Sequence, residues 1–129
     1  MTIQFKPAHF LYISRFLVQT VKKEGSMSES FYKTAISRAY YAAFLESRIY
    51  AEKRMNFIGS KTGIDHKQLA ACYQKSKNSS VRSVGHKLSK LKKWRSFSDY
   101  EIAASVQPTE KTAKEAIYYA QQIFLILDN

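Results

Sequence analysis

Arg95 stands where an aliphatic side chain is expected. Val84, Leu88 and Leu91 recur at three- and four-residue spacing. At 100° per residue, Arg95 falls about 20° from Val84, on the same apolar face. An inward arginine costs stability unless it is paired or lines a wet cleft. Its planar fork of donors suits a phosphate. Asp99 follows four residues later and Tyr100 five. On a continuing helix Arg95 and Asp99 make an ordinary surface pair worth roughly 0.2–0.5 kcal/mol. Tyr100 then lies about 140° round the helix. A helix that breaks in the Ser-Phe-Ser-Asp run after Arg95 would instead bring Arg95 and Tyr100 together. On spacing alone the plain surface pair is the favoured reading of these residues, with Arg95, Asp99 and Tyr100 as a candidate catalytic set the alternative.

The segment leading to Arg95 is strongly basic. Residues 61–95 carry ten Lys or Arg and one acid, Asp65, a net +9 within a chain total of +11. Such a concentration attracts polyanions in a salt-dependent way. A lysine-rich face kept for solubility is the plainer alternative. Lys90, Lys92 and Lys93, together with Arg38 and His66, make the expected nucleic-acid-binding set. Tyr73 and Trp94 interleave with the cations, which permits base stacking. His86 shares the face of Arg82, Lys90 and Lys93, away from Arg95, and is set aside for catalysis. No recognition-helix signature supports DNA reading.

The elements that must position these residues are helical. The chain has 129 residues, four Gly and two Pro, with long stretches lacking both, which points to an all-α protein. Hydrophobic residues are 45 % and charged residues 24 %, values that exclude wholesale disorder. The length fits one domain over residues 1–129. No apolar run is long enough for a membrane span. The apolar stretch from Phe10 to Val18 is broken by Ser14 and Arg15, so no signal peptide is expected. A single Cys72 allows neither an internal disulfide nor a structural zinc cluster, and a cytoplasmic protein is expected. No phosphate loop or H-E-x-x-H stands in the chain, so neither cofactor nor metal is expected.

Five helices are expected, forming an antiparallel four- to five-helix bundle. The first runs from about Pro7 to Glu24, with Phe10, Ile13, Leu17 and Val21 as its stripe. The second, from about Ser28 to Ile58, carries two stripes. One is Tyr32, Ala35, Ile36, Ala39, Ala43 and Tyr50; the other is Ala42, Leu45 and Ile49. One stripe is expected inside the domain and the second either there or against a partner subunit. Glu46, near the first stripe, is a possible partner for Arg38 or Arg95. Helices from about Asp65 to Lys77, Val81 to Arg95 and Thr109 to Leu127 follow. The last has the cleanest stripe: Ala113, Ala116, Ile117, Ala120, Ile123, Phe124 and Leu127.

Two segments resemble the HEPN superfamily, small helical domains of toxin–antitoxin, phage-defence and other RNA-processing proteins. Ser37 through Phe44, SRAYYAAF, looks like a stretch of small stand-alone HEPN proteins. Leu88 through Tyr100 is similar to their L..LR..ADY signature, with Phe97-Ser98 in place of the small residue before Asp. His66 stands just before the third helix, where such proteins often place a histidine. The resemblance implies a homodimer. In catalytic members an R-x(4–6)-H motif from each subunit meets at the dimer cleft. There histidine activates the ribose 2′-hydroxyl and arginine stabilises phosphate charge, without a metal. This chain departs at the decisive place: Tyr100 occupies the histidine position. A phenol with a pKa of about 10 is a poor base at neutral pH, although it can orient a hydroxyl or stack on a base.

The resemblance leaves two functions open. One is an RNA-directed protein of a bacterial toxin–antitoxin or defence system, a metal-independent endoribonuclease if catalytic, with Arg95 and Tyr100 from both subunits at the cleft. The other is a non-catalytic dimeric nucleotide- or nucleic-acid-binding module with a nucleotidyltransferase-like antitoxin partner. In some such pairs the partner adenylates a tyrosine beside the motif, which makes Tyr100 the candidate acceptor.

Overall fold

In a computed structural model, residues 6–20, 28–59, 65–100 and 110–128 are described. Their architecture is five helices: α1 (Pro7–Thr20), α2 (Ser28–Arg54), α3 (Asp65–Gln74), α4 (Ser79–Tyr100) and α5 (Glu110–Leu127). No strand occurs among the described residues, and no helix there is long and apolar enough to cross a membrane.

The bundle is built around α2, which touches all four other helices. Composition explains this. Ala35, Ala39, Ala42, Ala43 and Ala51 are fully buried. Alanine is the best helix former and brings neighbouring helices close. A helix apolar on several sides belongs in the interior. Of its second stripe, Ala42 and Leu45 join the core, while Ile49 stays exposed. α2 ends at Arg54 rather than near Ile58. Asn56 takes a left-handed conformation, φ 54°, and Phe57 N–H donates to the Ala51 carbonyl at 3.1 Å. This bond, six residues back, joins the Met55 N–H on the same carbonyl and closes the end of the helix.

α1 corrects the expected stripe. Its buried face is Leu11, Ser14 and Val18, with Phe10 and Leu17 half-buried beside it, while Ile13 is 40 % exposed. The buried Ser14 hydroxyl donates to the Ala35 carbonyl at 2.6 Å, so a polar residue sits in the seam at little cost. Tyr12 and Phe16 point outward with Ile13. Val21 lies outside the described residues.

α3 is pinned to α2 by the buried Tyr73 hydroxyl, which donates to the Ser47 carbonyl at 2.7 Å. It lies against α4 at Gly85, where a Cβ would come within 2.7 Å of the Ala70 carbonyl oxygen. α4 begins at Ser79, two residues earlier than expected. Asn78 is its N-cap, its Oδ1 accepting from Val81 N–H at 3.0 Å. α4 also runs through Tyr100, so the expected break after Arg95 does not occur there. The run holds neither Gly nor Pro, and Ser and Asp cost a helix only tenths of a kcal/mol, on the order of 0.5 each. α5 buries its expected stripe, with Phe124 half-buried.

Candidate functional site

α4 delivers Arg95 onto α2, as its helical register requires. Arg95 is half-buried. Its guanidinium carbon lies 4.7 Å from the Tyr41 ring centroid and 5.6 Å from that of Tyr40. Two rings thus hold the guanidinium; such contacts are worth roughly 0.5–2 kcal/mol each, more as water is excluded.

α3 brings His66 to the same place. Its Nδ1 and the Tyr40 hydroxyl are hydrogen-bonded. The imidazole stacks on Phe44 at 4.2 Å and 18°, and lies nearly parallel to Tyr40 at 5.5 Å and 19°. Tyr40 is therefore shared, with the imidazole on its hydroxyl and the guanidinium near its ring. Burial pushes its ionisation well above the ordinary phenol range; the Arg95 charge opposes this and Tyr41 reinforces it. The phenol stays neutral.

Beside these groups α2, α3 and α4 enclose a hollow of about 540 Å³. Tyr40, Phe44 and His66 give it an aromatic wall, and Lys67, Lys92 and Lys93 contribute cations. Three aromatic rings and three lysines suit a ligand that carries both flat rings and negative charge. Among the described residues no group of three His, Cys, Asp or Glu is placed to hold a metal ion.

The expected residues separate into two groups. His66, Lys92 and Lys93 line this hollow, and Arg95 lies near the ring of Tyr40 without lining it. Arg38 lies further along the ring array: its guanidinium carbon is 5.2 Å from the Phe10 ring, and Phe10 meets Tyr41 at 6.3 Å. Lys90 lies over Trp94 at 5.4 Å and faces a separate hollow between α4 and α5, with His86, Lys87, Tyr118 and Tyr119. Lys90 and Lys93 therefore border different hollows. The backbone of Asp99 and Tyr100 is helical, which sets position 100 about 140° round α4 from Arg95; their side chains lie outside the described residues. Within one chain, no helix break brings Tyr100 to Arg95. Glu46 has Asp128 and Lys53 as its charged neighbours, not Arg38 or Arg95; burial first, then Asp128, raises its pKa. Burial likewise raises that of Cys72.

Tyr40, Phe44 and Lys67 are site residues outside the expected set. Tyr40 reads as a core aromatic, and it is indeed 1 % exposed. The available signal is the four-residue spacing of Tyr40 and Phe44, which stacks two rings on one face of a helix that is otherwise alanine-rich there.

The sequence model of one family, the HEPN domain, matches residues 23–129. No curated protein and no solved structure matches the chain at a significant level.

Proposed function

The chain belongs to the HEPN domain family, and from this premise we propose that it is an RNA-directed protein of a bacterial toxin–antitoxin or phage-defence system. In this reading it acts in the cytoplasm as a homodimer and cuts RNA without a metal. The observation that carries the reading is Arg95, laid across Tyr40 and Tyr41 beside a hollow lined by Lys67, Lys92 and Lys93. An arginine so held presents its fork to a phosphodiester with little freedom left to lose. The lysines continue the phosphate track, and a splayed base meets the aromatic wall.

The test is cleavage of tRNA and total RNA by the purified protein in EDTA, wild type beside Arg95→Ala. Cuts by the wild type alone support the reading. Equal cuts by both proteins remove Arg95 from the site, and the absence of both cutting and RNA binding removes the reading.

Tyr100 at the motif's histidine position favours a second reading. There the bundle is a non-catalytic binding module, and a nucleotidyltransferase-like partner adds adenylate to Tyr100. Co-expression with such a partner should then add one adenylate to the intact mass, and Tyr100→Phe should lose it. An unchanged wild-type mass counts against it.

A further inference from the structure

With tyrosine at position 100, the motif supplies Arg95 for the phosphate but no group with a pKa near neutrality for the ribose hydroxyl. His66 is 29 positions before Arg95, yet the fold joins the two through one side chain. Tyr40 is hydrogen-bonded to His66 Nδ1 by its hydroxyl and lies 5.6 Å from the Arg95 guanidinium carbon by its ring. Phe44 stacks on the imidazole at 4.2 Å, so the histidine is oriented by both a hydrogen bond and a ring face. The same imidazole lines the hollow with Lys67, Lys92 and Lys93.

We propose that His66, positioned by Tyr40, is the proton-transfer residue of this site. It supplies from α3 the function that the histidine of the arginine motif would otherwise supply from α4. The inference rests on the RNA-cleaving reading above and assigns its missing base. The role requires the tautomer in which Nδ1–H donates to the Tyr40 oxygen, which leaves the Nε2 lone pair for substrate. Nε2 takes the proton of the ribose 2′-hydroxyl, and the 2′-oxygen forms a bond to the adjacent phosphorus. The bond from phosphorus to the 5′-oxygen breaks, and that oxygen takes a proton from water. The products are a 2′,3′-cyclic phosphate and a 5′-hydroxyl, and the imidazolium returns its proton to solvent. The net change is one proton passed from the 2′-oxygen to the 5′-oxygen by way of the imidazole and water, with no redox change. Arg95 offsets the charge on the phosphoryl oxygens. Tyr40 is a positioning residue: its hydroxyl holds the imidazole by a hydrogen bond and its own phenol stays neutral.

Among the described residues, Tyr40 on α2, Lys67 on α3, and Lys92 and Lys93 on α4 share the hollow with His66, and Arg95 lies near the Tyr40 ring. The neutral imidazole is the base, so cleavage rises with pH as the imidazolium loses its proton and levels off above that inflection.

The experiment is cleavage of a short single-stranded RNA in EDTA by wild type, His66→Gln, His66→Ala, Tyr40→Phe and Arg95→Ala. RNA binding and thermal melting are measured on each protein. The expected result is a loss of about 100-fold or more in His66→Gln, with RNA still bound. Added imidazole should partly restore His66→Ala, a rescue that a merely structural histidine would not show. Tyr40→Phe should lower kcat more than it raises KM and should shift the pH inflection. Wild-type rates in folded His66→Gln, alongside an inactive Arg95→Ala, overturn the inference while the RNA-cleaving reading stands. RNA bound but uncut by the wild type overturns both the inference and the cleavage. RNA neither bound nor cut overturns the whole reading.

Discussion

Tyr40 does three things with one side chain: its ring fills the core, its hydroxyl holds His66, and its face lies beside Arg95. Burial keeps it protonated well above the usual range, and burial does the same for Tyr73, whose hydroxyl is committed to the Ser47 carbonyl. Both phenols ionise near 10 once unfolded. The unfolded chain thus releases protons that the native chain keeps, so their stabilising contribution is complete below pH about 10 and is lost as pH rises beyond it. The melting temperature should fall from about pH 10 upward, and Tyr73→Phe should flatten that fall while costing about 1 kcal/mol at neutral pH for the lost hydrogen bond. A melting temperature constant between pH 9 and 11.5 contradicts this. At this scale the sequence was half legible. Arg95 could be placed facing inward because helical arithmetic needs only its own helix. The partnership of Tyr40 and His66 spans 26 positions and depends on how α3 lies on α2, which no local pattern encodes.

The elements position the site through α3, which is short and held by two devices: the Tyr73 hydroxyl bond to α2 and the close approach to α4 at Gly85. On an exposed helix a Gly→Ala change stabilises, by about 0.5–1 kcal/mol. At Gly85 the new methyl would press on the Ala70 carbonyl oxygen and on Gln74, and backbone cannot swing aside as a long side chain can. Gly85→Ala should therefore destabilise, by roughly 1–3 kcal/mol, and should weaken RNA binding as α3 carries His66 and Lys67 away from α4. An unchanged or higher melting temperature for Gly85→Ala would show that the α3–α4 contact is looser than described. Element existence was legible throughout, from apolar spacing; the ends and one face were not. Asn56 ends α2 by adopting a left-handed conformation, a choice open to any loop asparagine. On α1, Phe10-Ile13-Leu17 and Leu11-Ser14-Val18 are rival stripes one residue apart. The second wins because the Ser14 hydroxyl reaches the Ala35 carbonyl, a bond invisible until α2 is in place.

For the whole molecule the relevant quantity is the charge of +11, most of it in residues 61–95. The fold divides those cations. Lys67, Lys92 and Lys93 border the hollow beside Arg95, whereas Lys87 and Lys90 face the hollow between α4 and α5. If the first group holds the strand, replacing Lys92 and Lys93 together with alanine should reduce the slope of log affinity against log salt by about 1.4, near 0.7 per phosphate contact. Replacing Lys87 and Lys90 should leave the slope nearly unchanged. The reverse pattern would move the RNA to the other face. The most direct test of where RNA sits is ultraviolet cross-linking of a short single-stranded RNA to the wild-type protein, with the linked residues mapped by mass spectrometry. Cross-links at Tyr40, Phe44 or His66, lost in Arg95→Ala, are the result this account predicts. Cross-links confined to Tyr118 and Tyr119 on α5, or to Tyr12 and Phe16 on the outer face of α1, would contradict it.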